Sequence, residues 1–298
     1  MMFSFLNRNS SKLAPTLPPE LIMDSFNSND ATIRFCHSAK SKKIKILCLP
    51  GVMTFIERAL PFWTALDHAG FEVYGFEYRD HGGSSKRHKE DPLKIDVDNF
   101  SVYLDDLHHF KNTYLKDEPI LLLGSSFGGH LALRYLQDYD QGSVQHAVLV
   151  APMVDLLCPI DFLPRCCLPA AIKLLTLFQS KHDVVPGLAE KTPENIIENE
   201  ENMALRSMLA LHQDKIMTRV SLGWIDAALE SIAQLNQMSI NIPVTVFLGK
   251  QEKVVDNKST IKLLSEKAPK ASFHFLDCSH RVIDHHLEDV VAEMSKLL

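Results

Sequence analysis

The chain is 298 residues long and 46% apolar, with 31 basic against 37 acidic residues and a formal net charge of −6. That apolar content suffices for a substantial core in one large α/β domain or two small ones, which excludes a disordered chain. No basic cluster is larger than Lys40 to Lys45, so the charge pattern excludes a nucleic-acid partner. Six cysteines, at 36, 48, 158, 166, 167 and 278, show no C-x-x-C spacing and are expected to be buried thiols of a reducing compartment. Met1 to Leu6 is apolar but runs at once into Asn7, Arg8 and Asn9, so it lacks the core of a signal peptide. No stretch reaches about 18 apolar residues, and no transmembrane helix is expected. A cytoplasmic location is therefore expected, with peripheral contact at the inner face of a membrane left open.

Residues 7–30, rich in Asn, Ser and Pro, are expected to be irregular, and Thr32 to Cys36 an antiparallel strand. Ile44 to Leu49 is a second strand, running into Pro50-Gly51-Val52-Met53 ahead of an amphipathic helix over Ile56 to Ala69. Phe71 to Phe76, the turn from Glu77 to Ser84, a polar excursion to Pro92 and a helix from Asp98 to Leu115 follow. Ile120 to Leu123 is an unbroken apolar run, too short for a helix and suited to a strand buried on both faces; Leu131 to Leu136 has helical spacing. Ala147 to Ala151 is another buried strand. From there to Gln237 the strand signal vanishes into helical pattern broken by Pro159, Pro164, Pro169, Pro186 and Pro193. Val244 to Leu248, a helix over Ser259 to Lys267, a strand Ser272 to Leu276, the loop Asp277 to Arg281 and a terminal helix complete the chain. The alternation of strand and helix argues a mostly parallel, doubly wound sheet. Residues 1–155 and 238–298 would form this core, and residues 156–237 a helical cap over its carboxyl edge.

At the strand-to-helix turn stands Gly124-Ser125-Ser126-Phe127-Gly128, a match to the G-x-S-x-G nucleophile elbow with Ser126 as the presented serine. Serine needs a base to take its proton and an acid to orient that base. In this architecture the chain order is Ser, acid, His, each after a strand. His280 follows the last strand, whereas His108 and His109 fall in a helix, His274 in a strand, and His285 and His286 in the terminal helix. Two acids follow the strand Val244 to Leu248: Glu252 and Asp256. Asp256 with Asn257 is also explained as the cap of the following helix. An oxyanion needs two preorganised N–H donors; Phe127 would supply one and Val52 the other. The cluster Asp284, His285, His286, Glu288 is expected to be a solvated helix face, with no metal site and no cofactor.

The segments Leu49-Pro-Gly51, Glu77-Tyr-Arg-Asp-His-Gly-Gly-Ser84, Gly124 to Gly129, Ala151-Pro-Met153, Gly223-Trp224 and Gly249 to Asp256, with Ser279-His280, together resemble the lysophospholipase and monoacylglycerol lipase branch of the α/β-hydrolases. Within it, the bacterial inner-membrane-associated lysophospholipases are the nearest echo. The resemblance runs from residue 30 to the end and implies the α/β-hydrolase fold, a cofactor-free serine hydrolase and a monoacyl lipid or other ester as substrate. It also implies that the acid falls three positions after the glycine ending its strand, which here is Glu252. A small-ester esterase or an aminopeptidase-like amidase on the same fold, or a binding protein that has lost activity, are the competing readings. Three positions depart from the family pattern: Pro50 replaces a His, Asp80 a Gly, and Ser125 a residue that is often His.

Overall fold

The computed structural model describes residues 18–139, 142–155, 167–184 and 191–298. The segment Met1 to Leu6, Cys158, Cys166 and parts of the stretch 156–237 expected to be a cap lie outside them. Strand β1 (Leu21–Ser28) and β2 (Ala31–Ser38) form a hairpin on the edge of the sheet. The expected strand Thr32 to Cys36 lies within β2, whereas β1 falls in the stretch expected to be irregular: Asp24, Ser25 and Asn27 interrupt its apolar residues, and only Leu21, Phe26 and Ser28 turn inward. There follow β3 (Ile44–Leu49), α1 (Ile56–Ala69), β4 (Phe71–Phe76), the two-residue β5 (Lys94–Ile95) and α2 (Ser101–Phe110), which widens into a π turn through Leu115. Next come β6 (Ile120–Ser125), α3 (Phe127–Asp138) and β7 (Val144–Val150). Helices α4 (Leu168–Leu175), α5 (Pro193–Glu198) and α6 (Met203–Leu211), the two-residue β8 (Arg219–Val220) and α7 (Leu222–Gln234) separate β7 from β9 (Val244–Gly249). The chain closes with α8 (Asn257–Lys267), β10 (Ala271–Leu276) and α9 (Val282–Met294).

Among the described residues the main sheet runs β1-β2-β4-β3-β6-β7-β9-β10, parallel from β4 onward. Alternation along the central strands divides the core in two, because successive side chains leave a strand on opposite faces. Leu47, Leu49, Leu122, Ala147 and Leu149 pack with α2, α3, α7 and α8, while Ile46, Cys48, Leu121, Leu123, Val148 and Val150 pack with α1 and α9. Cys36, Cys48 and Cys278 are buried as expected, and burial raises all three thiols, Cys36 to about 12. Cys167 departs from that expectation: it opens the surface of α4 and is exposed. The strand β8 was invisible to periodicity because two residues pairing with β5 are too short to repeat. No helix among the described residues is long and apolar enough to cross a membrane.

The sharpest constraint lies where β6 meets α3. A Cβ on Gly124 would stand 2.3 Å from the Gly128 carbonyl oxygen, and one on Gly128 would stand 2.1 Å from that of Leu49. Backbone blocks both positions, so neither accepts even a methyl group, whereas a Cβ on Gly51 meets nothing closer than 3.5 Å. Gly128→Ala should therefore lose about 2 kcal/mol or more of stability, and Gly51→Ala less than about 1 kcal/mol, measured by urea unfolding. Equal losses would mean that the strand and helix can separate at little cost.

Candidate active site

Ser126 stands between β6 and α3 with φ 52° and ψ −113°, a region that costs a non-glycine residue on the order of 1–3 kcal/mol. Three backbone hydrogen bonds hold it there: its N–H donates to Val150 O (2.8 Å), and its carbonyl accepts from His130 N (3.1 Å) and Met153 N (2.9 Å). His280, in the loop after β10, has Nε2 2.9 Å from Ser126 Oγ and Nδ1 2.8 Å from Glu252 Oε2. With Nδ1–H donating to the carboxylate, Nε2 is left to accept the serine proton. The Glu252 side chain is only 2% exposed, and its second oxygen accepts from the backbone N–H groups of Lys253 (2.9 Å), Val254 (2.7 Å) and Val255 (3.3 Å). Burial pushes this carboxyl up, but the hydrogen bonds from His280 and the loop outweigh it and hold it below the ordinary carboxylate value. Asp256 is placed elsewhere: its Oδ1 accepts from Lys258 N (3.0 Å) and its Oδ2 from the Ser259 hydroxyl (2.8 Å), capping α8. The structure thus brings Ser126, His280 and Glu252 together and leaves Asp256 out.

Val52 lies in the turn after β3, beside Ser126, and lines the same cavity. Phe127 opens α3, where the first backbone N–H groups have no partner within the helix. The Pro50 turn is braced from behind, since the Tyr78 hydroxyl donates to Pro50 O at 2.9 Å. Asp80 has φ 60°, a left-handed conformation that glycine reaches most readily and Asp tolerates. Its carboxylate then accepts from Arg87 N (2.5 Å) and Asp96 N (3.3 Å), which accounts for an acid at that position.

A model of the serine aminopeptidase S33 family matches residues 40–283. The chain belongs to that family. A probable lysophospholipase L2 of Haemophilus influenzae is 27% identical over 207 residues, 66% of this chain and 64% of the relative. The chain thus spans under two thirds of that relative's length. A soluble variant of the Saccharomyces cerevisiae monoglyceride lipase, solved with a substrate analog, has a TM-score of 0.73 at 17% identity over 95% of both chains. The monoacylglycerol lipase of Paleococcus ferrophilus has a TM-score of 0.63 at 15% identity, covering 93% of this chain and 99% of its own. At such identities the likeness is one of fold, and with the family it makes the chain a hydrolase of the α/β-hydrolase superfamily.

In this S33-family chain Ser126 and His280 open into a cavity of about 520 Å³. Its walls are mostly apolar: Phe62 and Trp63 from α1, Leu205 and Met208 from α6, Ile283 and Leu287 from α9. Three charged residues that sequence reasoning missed also line it. Asp284 accepts from Arg58 (3.1 and 2.8 Å) and from Arg281 (2.5 Å), and Arg281 also reaches Glu200 at 2.9 Å. Asp284 was expected on a solvated face; it instead turns inward, because the first turn of α9 packs against α1. His286 does stay on the outer side, paired with Asp289 at 2.7 Å.

Burial raises the Asp284 carboxyl, but Arg58 and Arg281 outweigh it and hold it below the ordinary value. A carboxyl lowered in the folded state contributes stability above its unfolded pKa and loses it as pH falls through the folded value. Asp284→Asn should therefore cost about 1–2 kcal/mol at neutral pH, moderated by the exposure of Arg281. Urea unfolding across pH should show that deficit shrinking below about pH 4. A deficit that persists in acid would mean that Asp284 acts through shape rather than charge.

Proposed function

We propose that the chain hydrolyses carboxylic esters of monoacyl lipids, lysophospholipids or monoacylglycerols, with Ser126, His280 and Glu252 as a catalytic triad. Ser126 Oγ attacks the ester carbonyl as His280 Nε2 takes its proton, and the N–H groups of Phe127 and Val52 receive the oxyanion. His280, its charge balanced by Glu252, returns the proton to the leaving glycerol oxygen; water then releases the fatty acid by the same route in reverse. Every step uses side chains, backbone N–H groups and water, and no cofactor is called for.

The observation that carries this reading is a Ser-His-Glu hydrogen-bond chain opening into a cavity with apolar walls. The relatives' names point the same way. The family's description favours the alternative of an aminopeptidase, whose substrate ammonium would need a carboxylate in the site. Among the described residues lining the cavity, the one carboxylate is Asp284, and Arg58 and Arg281 already neutralise it. Residues 156–237 serve as the cap in this reading, with Asn202, the N-cap residue of α6, and Leu205 and Met208 within α6 lining the cavity.

Ser126→Ala should abolish ester hydrolysis with the fold intact, and Ser125→Ala should be mild, both followed on a monoacylglycerol and by fluorophosphonate labelling. Glu252→Gln should lower kcat by several orders of magnitude, set against the ~10⁴-fold loss for such a change in a serine protease. Asp256→Asn should stay near normal. The reverse pattern would move the acid to Asp256.

The cap also presents an apolar surface. Leu174, Leu177 and Phe178, on α4 and the turn after it, are 57%, 76% and 81% exposed, so packing against the core does not explain them. We read them as a face that dips into a lipid surface. Phe178→Asp should then depress turnover of long-chain lipid in vesicles at least several-fold while leaving a soluble short-chain ester unaffected. Equal losses on both substrates would rule out the surface-contact role.

A further inference from the structure

Away from Ser126, two histidines converge on one buried carboxylate. Asp96, just past β5, is 1% exposed, and its Oδ2 lies 2.7 Å from His88 Nε2 and 2.8 Å from His182 Nδ1. Donor atoms of the three lie within 4.8 Å of one another, an arrangement found once among the described residues. None of them lines the cavity at Ser126. His88 and Asp96 belong to the polar excursion between β4 and α2, whereas His182 belongs to the segment between β7 and β9, so the cluster bridges two parts of the fold.

Two imidazole N–H groups donating to one oxygen would produce such distances, and so would three side chains gathered to ligate a metal. Three features favour the second. His88 Nδ1 stands 3.1 Å from Glu90 Oε1; a carboxylate on the far nitrogen orients the ring, so that Nε2 becomes an electron-pair donor once the proton it gives to Asp96 leaves, as metal-bound histidines are held. The backbone at His182 is already tied down without its ring, since Lys94 Nζ donates to His182 O at 2.9 Å and Lys181 pairs with Asp98 at 2.6 Å. The position of His182 therefore does not depend on its ring donating to Asp96. The His182 side chain is 34% exposed, which gives an ion a path from solvent and room for a water ligand.

We propose that His88, Asp96 and His182 form a zinc site that clamps the segment between β7 and β9 to the core. Two imidazoles and a carboxylate suit zinc, with water as the fourth ligand in a tetrahedron. Binding moves each nitrogen about half an ångström away from Oδ2 to reach zinc-ligand distances. His88 releases to solvent the Nε2 proton that its contact with Asp96 requires and keeps Nδ1–H toward Glu90, while His182 moves its proton from Nδ1 to Nε2 with no net release. Arg87 Nε, 3.6 Å from Asp96 Oδ2, competes for the carboxylate, but its Nη2 is already held by Asp98 at 2.9 Å and can stay there.

The test uses the full chain, dialysed against a chelator and titrated with zinc chloride in competition with a chromophoric chelator. The wild type should take up one equivalent, His182→Ala should bind at least tenfold more weakly, and Glu90→Gln, which touches no ligand position, about tenfold more weakly. His68→Ala, at an exposed histidine, should bind like wild type. Circular dichroism establishes that each variant is folded before titration. Zinc should also raise the unfolding temperature of the wild type, and raise that of His182→Ala less at the same zinc concentration. Folded wild type that takes up no zinc, or takes it up equally with and without His182, would overturn the site. Zinc uptake with no rise in unfolding temperature would overturn the clamp.

Discussion

The close approach of β6 to α3 is the constraint from which the site follows. Backbone meets backbone at Gly124, Gly128 and the Leu49 carbonyl with no room for a Cβ, and the chain turns from strand to helix within one residue. That residue is Ser126, held at positive φ by one hydrogen bond to the sheet and two from the chain beyond it. Because the sheet is parallel here, the carboxyl ends of β3, β6, β9 and β10 all face the same side. The loops leaving those ends carry the Gly51 turn, Ser126, Glu252 and His280 to one place. A rigid strand pair supplies position and short loops supply chemistry.

Behind the Gly51 turn lies a buried polar brace. Glu77 is fully buried, and burial raises its carboxyl against the pull of Arg34 at 3.6 Å. One oxygen accepts from Ile56 N (3.1 Å) at the start of α1; the other accepts from Gly83 N, Ser84 N and the Ser84 hydroxyl, each at 2.9 Å. A buried acid with this many donors is satisfied rather than stranded. Through it the 77–84 turn and the first turn of α1 are aligned, and α1 in turn carries Arg58, Phe62 and Trp63 into the cavity wall. The motif that helped identify the family is thus scaffolding for the site rather than chemistry within it.

Local features were legible in the sequence to the extent that they are properties of consecutive residues. The apolar run before Gly124, the helical spacing after it and the glycines between them specify a strand, a helix and a tight turn without reference to any other segment. The choice between Glu252 and Asp256 was similarly local, since Asp256 sits next to a helix start whose N–H groups it caps. The edge strand β1 was not legible, because its polar outward residues and single flanking partner leave a weak pattern. Asp284 was misread for a related reason. Its neighbours His285 and Glu288 are exposed, and only the packing of α9 on α1 turns Asp284 toward Arg58.

By itself the sequence determined the α/β class, the elbow and its serine, and the candidate base and acid, because periodicity and turn chemistry act over a few bonds of chain. Tertiary structure alone decided what those residues meet. Ser126 and His280 are 154 positions apart, and Arg58 and Asp284 are 226 apart. His88, Asp96 and His182 share no motif spacing, yet converge on a single oxygen. Such meetings depend on how helices and loops pack on the twisted sheet, and packing is set by the fit of the whole core rather than by any segment of it.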